Sequence, residues 1–485
     1  MTLAAAIARA YGVELAIEVP ADAEPEALLR AAEAIGHAIG DRQASVAPAV
    51  PWAPLPERDD APAGDRRAAI ERMLAWAEAG GARWDGLAFP VDADGNASAR
   101  ATRALAAGEA ILALPRQLMV FDAELTASTT GDLGLAHPRD ALAAWLPLEA
   151  RAPGSRWRPF LDALPARLAE LPMFRGDVAA LAGTTAHAIA DADNRDVRDA
   201  YAALPAALRA RVALADFAWG CAIVKSRGFH APGTLEHRVA LLPVVDLFNH
   251  RPGDTTWTYD PAARIYTVIT ERAFAAGEEV GASYAACSDT RLLVQFGFTL
   301  PANPLAEAGL VFAPAADPVA AIAAHLLWQL PLDAPSRVRV ACSLDQRFVH
   351  ALSLARLRVA GPIERSRVIA DGLAPYAEMP WLGAALETRA LGEIADAARR
   401  ALAELDAHPA PPATGAWAES CARVRAAERA VLGEILAFAA GDAGSVAWQD
   451  PVRLRTAADA IPIAATGAAC LRRQYLVALA DSSPG

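Results

Sequence analysis

The chain has 485 residues, which at roughly 100–200 residues per domain implies about two to four domains and excludes a single small module. Hydrophobic types supply 54% of it and charged types 21%, enough apolar material for packed cores and unlike the composition of a disordered chain. A net charge of −12, from 45 Lys+Arg against 57 Asp+Glu, excludes a uniformly basic surface that wraps nucleic acid.

Residues 1–45 predict a short helix, a strand over Val13 to Val19 and an amphipathic helix from about Glu24 to Ile39. Ser45 to Asp65 carries Pro48, Pro51, Pro54, Pro56 and Pro62 and reads as a linker, because proline removes backbone donors and fixes φ. The apolar spacing of Ile70, Met73, Leu74, Trp76 and Ala77 predicts a helix over Arg66 to Ala79, stopped by Gly80-Gly81. Strands are expected at Leu87 to Val91, Ile111 to Leu114 and Leu118 to Phe121. A helical insert fills about 130–222, and strands return at Ala240 to Leu247, Thr256 to Tyr259, Ile265 to Ile269 and Glu279 to Tyr284. Beyond about 305 the periodicity predicts a separate domain of long amphipathic helices at Pro318 to Leu330, Gln346 to Val359, Leu382 to Leu405 and Glu419 to Ala439.

No apolar run reaches the ~18 residues of a membrane span, and the N-terminus lacks a signal-peptide pattern, so the expectation is a cytoplasmic protein. The five cysteines lie far apart without a C-x-x-C pair, which fits a reducing compartment and signals neither a disulfide framework nor a zinc knuckle. Lys225 is the only lysine, so arginine carries nearly all the positive charge. The phosphate-loop, dinucleotide-binding, nucleophile-elbow and H-E-x-x-H signatures are absent. His230, His237 and His250 match no metal-ligand spacing, and no metal is expected.

Two stretches carry the chemistry. Leu241 to Leu247 reads as an apolar strand running into Phe248-Asn249-His250, where polar groups at a strand end either face a ligand or close a local turn. Gly277-Glu278-Glu279-Val280-Gly281-Ala282-Ser283-Tyr284 reads as a turn and strand ending in a tyrosine, which alone is compatible with a packed core residue or a catalyst. Together, Asp-Leu-Phe-Asn-His at 246–250, Gly-Glu-Glu at 277–279, Ser283-Tyr284 and the Leu-Leu-x-x-Phe-Gly-Phe ending at Phe298 resemble the second half of a SET domain. The branch resembled is class VII, that of Rubisco large-subunit lysine methyltransferase and the actin-histidine methyltransferase. Arg100 to Arg103, Gly108 to Pro115, Trp157-Arg158-Pro159-Phe160 and Val224-Lys225-Ser226-Arg227 agree with its earlier segments.

The resemblance implies an α+β chain. Residues 1–65 form an extension and linker, 66–305 a SET domain interrupted by helices, and 306–475 an all-α domain that docks the substrate protein. It implies S-adenosylmethionine as cofactor, contacted by Asp246, Leu247, Phe248, Asn249 and His250, by Arg227 at its carboxylate and by the loop Gly95-Asn96-Ala97. Arg66 is an additional cofactor contact, and Phe296 and Phe298 lie against the adenine. Tyr284 is the expected catalytic residue. The implied activity is methyl transfer to a protein lysine by a monomer, with no nucleic acid or membrane partner. The rivals are a histidine acceptor and, from another class, an inactive SET-fold interaction protein. The chain departs from the family pattern at Ala97, where a second glycine is usual, at Ala285, which replaces a glycine, and at Asp289, which replaces an asparagine.

Overall fold

The computed structural model describes residues 52–58, 65–93, 95–121, 125, 133, 135, 137–230, 239–315, 320, 324, 335–361, 383–409, 414–440 and 451–482. The elements expected before residue 45 and most of the helix expected at Pro318 to Leu330 lie outside them. The chain divides into two compact units, Ala53–Val178 with Ile189–Thr299, and Ala179–Ala188 with Leu300 onward.

The first unit opens on α1 (Arg66–Ala79), as its spacing predicts. Asp65 caps it by accepting the Arg67 N–H at 2.9 Å, and Ala69, Ile70, Met73 and Ala77 form the buried face. Short strands follow: β1 (Arg83–Trp84), β2 (Leu87–Ala88), β3 (Ala99–Ala101), β4 (Ala110–Pro115) and β5 (Val120–Phe121). The helices are α2 (Pro138–Arg151), α3 (Arg158–Ala163), α4 (Thr185–Ala203), α5 (Ala206–Arg209) and α6 (Leu214–Arg227). The chain returns to β6 (Gly228–His230), β7 (Val239–Leu241), β8 (Thr255–Asp260), β9 (Ile265–Thr270) and β10 (Glu279–Val280), then α7 (Asp289–Phe296). Three small sheets result, in the orders β1-β4-β9-β8, β10-β3-β2 and β5-β7-β6, so strands distant in sequence become neighbours. Trp145, Phe160, Phe217 and Phe248 are among the largest side chains in the core that binds them together.

Four expected strands are shorter than the sequence suggests, the one at Leu118 to Phe121 because Arg116–Leu118 forms a 3-10 turn that leaves only Val120–Phe121. β2 ends before Pro90, which has no N–H to give to a ladder. β7 ends at Leu241 instead of Leu247, because Pro243 also lacks a donor and Val244 turns the chain with φ 71 into a 3-10 turn at Val245–Leu247. β10 ends at Val280 instead of Tyr284, because another stretch of chain crosses at Gly281.

The second unit contains β11 (Glu307–Phe312), β12 (Ser336–Ala341), α8 (Gln346–Val359), α9 (Ala384–Ala407), α10 (Ala416–Ala440), α11 (Pro451–Asp459) and α12 (Gly467–Ser482). The all-helical expectation is corrected at its start, where β11 and β12 pair antiparallel over six residues. Every residue of β11 is buried, so it lacks the alternation that identifies a half-exposed strand.

The helix that carries Arg227 is set against α2 by Gly220, where a Cβ would overlap the Ala143 carbonyl oxygen. Gly220→Ala should force the two helices apart and destabilise the protein by about 1–3 kcal/mol, read as a lowered thermal midpoint. An unchanged midpoint would show that the helix pair yields at no cost.

Candidate active site

Arg227 closes α6, where a cation suits the negative end of the helix dipole. Its Nη1 donates to the Asp246 carbonyl oxygen at 3.1 Å and to Asp246 Oδ2 at 3.2 Å. Asp246 is held there by the turn that Val244 starts. A fully buried β-branched residue at φ 71 stores about 1–3 kcal/mol of strain, which the surrounding core must offset. Arg66 at the start of α1 feels the charges of both Arg227 and Asp246. Gly95, at φ 83, brings its loop against Arg66; a Cβ there would stand 3.6 Å from Arg66 Cδ. The loop is shaped by Asp92, whose Oδ1 accepts the Asn96 N–H at 2.8 Å, while Ala97 bridges to Val91.

This corner contains two guanidiniums and one buried carboxylate. Burial pushes the Asp246 pKa up, with Arg227 and Arg66 opposing it, while burial and then Arg227 press the Arg66 pKa down. Among the described residues, Arg66 Nε, Arg227 Nε and Asp246 Oδ1 are buried without a hydrogen-bond partner. Unmade bonds on buried charged groups are costly. Free guanidinium donors beside a free carboxylate oxygen complement a zwitterionic α-amino-acid group, with its carboxylate on the arginines and its ammonium on Asp246.

The second part of the site is a crossing of two chain segments. The Asn249 carbonyl accepts the Ala282 N–H at 2.9 Å, and the Arg251 N–H donates to the Ala282 carbonyl at 3.0 Å, which makes a parallel bridge between His250 and Ala282. Gly281 permits the crossing, since a Cβ there would lie 2.8 Å from the Asn249 oxygen and overlap Arg251. Asp254 Oδ2 holds the Gly281 N–H at 2.9 Å and Oδ1 takes Arg272 Nε at 2.7 Å, so the crossing is braced from behind.

The crossing fixes Tyr284 at both ends. Its N–H donates to His250 Nδ1 at 3.0 Å, and its hydroxyl donates to the Phe248 carbonyl at 2.8 Å. The first bond makes Nδ1 an acceptor, so a neutral His250 carries its proton on Nε2. Burial lowers the His250 pKa and favours that neutral form. Burial pushes the Tyr284 phenol up to about 12, so it stays protonated at neutral pH. Aromatic rings close the space around it: Phe296 lies 4.8 Å from the Tyr284 ring, His250 5.2 Å and Phe298 6.4 Å, centroid to centroid. Ala285 follows at φ 151, a region that favours the glycine whose place it takes.

Of the residues singled out from sequence, Arg66, Gly95, Arg227 and Asp246 form the charged corner, with Asn96 and Ala97 in its loop. His250, Tyr284, Phe296 and Phe298 form the aromatic part. Asp246 and the Phe248 carbonyl that holds Tyr284 stand two residues apart on one segment, which ties the two parts together. Leu247 and Phe248 point their side chains into the core, Phe248 packing against Phe89 at 6.1 Å, and offer only backbone. Asn249 is exposed, with its amide on Glu279 Oε1 at 2.8 Å. Glu279, Gly281 and Asp254 were not assigned roles from sequence. Glu279 and Gly281 stand in the motif stretch itself, but only the crossing shows what they do.

No protein-family profile matches the chain. The structure is similar to the SET domain of LSMT bound to lysine and AdoHcy, with a TM-score of 0.62 and 16% identity over 78% of this chain and 92% of that one. The fold is that of a SET domain. In sequence the chain resembles the actin-histidine N-methyltransferase of Drosophila melanogaster, at 27% identity over 341 residues, 63% of this chain and 62% of the relative. It also resembles the chloroplastic fructose-bisphosphate aldolase-lysine N-methyltransferase of Arabidopsis thaliana, at 28% over 169 residues, 33% of this chain and 35% of the relative. The chain thus spans under two thirds of the length of these curated relatives.

If the corner takes an amino-acid group, Arg227→Met should weaken binding of S-adenosylmethionine by about 10- to 100-fold in calorimetry, the loss of charged hydrogen bonds. On the same condition the ammonium would sit on the Asp246 carboxylate. Because burial raises the Asp246 pKa, affinity should fall on acidification at a higher pH than an exposed aspartate would impose, within a titration from about pH 7 to 4. Affinity that is flat over this range would remove Asp246 from the ammonium's place.

Proposed function

We propose that the chain is an S-adenosylmethionine-dependent protein methyltransferase acting on a lysine side chain, as a cytoplasmic monomer whose C-terminal helical domain docks the substrate protein. The observation that carries the reading is the set of unpartnered buried polar atoms on Arg66, Arg227 and Asp246, beside a tyrosine anchored to the Phe248 carbonyl. The donor set suits the methionine part of the cofactor, and the rings of Phe298 and His250, 6.1 Å apart, suit a purine. The SET neighbour, with its bound lysine and AdoHcy, supports the same assignment.

When bound, S-adenosylmethionine supplies an electrophilic methyl group on a sulfonium. The chain must supply a neutral amine in line with it. A free lysine has a pKa near ~10.4, so only about one in a thousand is neutral at pH 7, a deficit of roughly 4 kcal/mol. The burial that raises the Tyr284 pKa penalises any charge placed beside it, and so lowers the pKa of an entering ammonium. Tyr284 is not the base that takes the proton, because its phenol is itself protonated at neutral pH. His250 Nδ1 is engaged by the Tyr284 N–H, so no proton is routed to that nitrogen. The amine is deprotonated by solvent on entry. With its hydrogen given to Phe248, the Tyr284 oxygen turns its lone pairs to the acceptor, where they orient the nitrogen and stabilise the polarised methyl.

Tyr284→Phe should keep cofactor affinity within about twofold while methyl transfer falls by about 10²- to 10³-fold. Equal turnover in a burst assay would end the catalytic assignment. Absence of cofactor binding in the unaltered protein would favour the inactive interaction protein.

A histidine acceptor is the second reading, because the match to the fly actin-histidine enzyme covers 341 residues and that to the plant lysine enzyme 169. Labelled cofactor incubated with an extract of the source cell, followed by peptide mass spectrometry, identifies the modified residue. The pH dependence separates them too. A lysine acceptor should give a rate that keeps rising above pH ~8, whereas an imidazole with a pKa near ~6.5 should level off above pH ~7.

A further inference from the structure

Gly281 and Ala282 carry the crossing, and their four backbone polar groups are all held by one short stretch, residues 249–255. Ala282 is held by backbone, its N–H by the Asn249 carbonyl and its own carbonyl by the Arg251 N–H. Gly281 is held by side chains instead. Asp254 Oδ2 accepts its N–H at 2.9 Å, and Thr255 Oγ1 donates to its carbonyl oxygen at 2.8 Å. Two adjacent residues thus grip both polar groups of one glycine. Both are buried, so a bond lost there leaves a polar group of Gly281 unpaired away from bulk water.

The grip is anchored in the four-stranded sheet. Thr255 opens β8 opposite Thr270 of β9, and the Asp254 carbonyl accepts the Glu271 N–H at 2.9 Å. Asp254 Oδ1 accepts from Arg272 Nε at 2.7 Å, and Arg272 Nη1 donates to Glu278 Oε1 at 2.7 Å, three residues before Gly281. The two side chains therefore fasten the crossing to β8 and β9, whereas β10 itself pairs with β3 of another sheet. Tyr284 follows Gly281 by three residues, and both of its anchors, His250 Nδ1 and the Phe248 carbonyl, lie on the segment across the crossing. A shift of Gly281 against residues 249–251 separates Tyr284 from both. The charged corner is held by its own bonds between Arg227 and Asp246.

We propose that Asp254 and Thr255 are positioning residues for methyl transfer, which set the catalytic tyrosine by acting through Gly281 and not on the reacting atoms. The proposal deepens the methyltransferase reading and rests on it for the reaction.

The test uses the full chain and three variants. Thr255→Val keeps the volume and loses the hydroxyl, Thr255→Ser keeps the hydroxyl, and Asp254→Asn keeps one acceptor while losing the charge that Arg272 balances. Cofactor affinity is read by calorimetry, and turnover by transfer of labelled methyl from S-adenosylmethionine into protein of a source-cell extract, as maximal rate and apparent KM for the cofactor. Thr255→Val and Asp254→Asn should lower the maximal rate by about 10- to 100-fold, the cost of misplacing a reacting group, with cofactor affinity and apparent KM within about twofold. Thr255→Ser should restore at least about half of the rate, since the bond is rebuilt. A readout that needs no substrate is the ¹⁵N resonance of His250 Nδ1, identified by its loss in His250→Gln. It should move toward that of an unbonded imidazole in Thr255→Val and Asp254→Asn and stay in place in Thr255→Ser. A rate that survives both substitutions, an equal loss of cofactor affinity, an unmoved His250 resonance, or failure of both variants to fold overturns the assignment. A His250 resonance that responds as expected in a protein that transfers no methyl group would support the grip on Gly281 and count against the methyltransferase reading.

Discussion

The site depends on one crossing, where residues 249–251 pass against Gly281 and Ala282. Backbone bonds to Ala282 hold the crossing, and the absence of a side chain at Gly281 makes room for it. The arrangement places the Phe248 carbonyl and His250 Nδ1 where Tyr284 can donate to both. A residue larger than glycine at 281 would separate the segments, and the phenol, the imidazole and Asp246 would lose their common frame. Short strands suffice here because each small sheet borrows strands from distant parts of the chain, and the crossing ties those parts together.

The charged corner is organised by unequal pairing. Two guanidiniums share a single buried carboxylate, and each group keeps a buried polar atom unspent. The second unit has both kinds of cluster: Arg358 Nε, Glu393 Oε2 and Arg400 Nη2 are likewise buried without a hydrogen-bond partner, whereas another cluster is fully engaged. There Arg356 Nε and Nη2 take both oxygens of Glu387 at 2.9 and 2.7 Å, and the Tyr475 hydroxyl donates to the same carboxylate. Breaking that triad would leave a buried charge uncompensated at about 3–5 kcal/mol. What distinguishes the charged corner is its place beside the segment that anchors Tyr284, two residues on from Asp246. Of the three positive-φ residues other than glycine among the described residues, Val244 and Ala285 flank site segments, while Arg264 turns the β8–β9 hairpin.

Much of the fold was legible where local periodicity and tertiary burial agree. α1 and α8 have the bounds their apolar spacing predicts, because each buries one stripe and is capped by an aspartate at its start. The strands at 240–247 and 279–284 misled because apolar and β-branched content was read without the backbone's needs: Pro243 cannot donate, and Gly281 marks a crossing. β11 was hidden for the opposite reason, since burial on both faces erases alternation. The site motifs were legible by resemblance. The roles of Glu279 and Asp254 were not, because they exist only once remote segments meet.

By itself the sequence determined which residue types stand at which spacing: an Asn-His pair after an apolar run, a tyrosine after a glycine turn, an arginine at a helix end. Those are local quantities, and helix caps and turns follow from them. Only the tertiary structure decided that Arg227, Asp246 and Arg66 share one buried corner, and that Tyr284 gives its hydrogen to the Phe248 carbonyl. Hydrogen-bond partners and desolvation depend on what packs against a group, and no run of neighbouring residues encodes that.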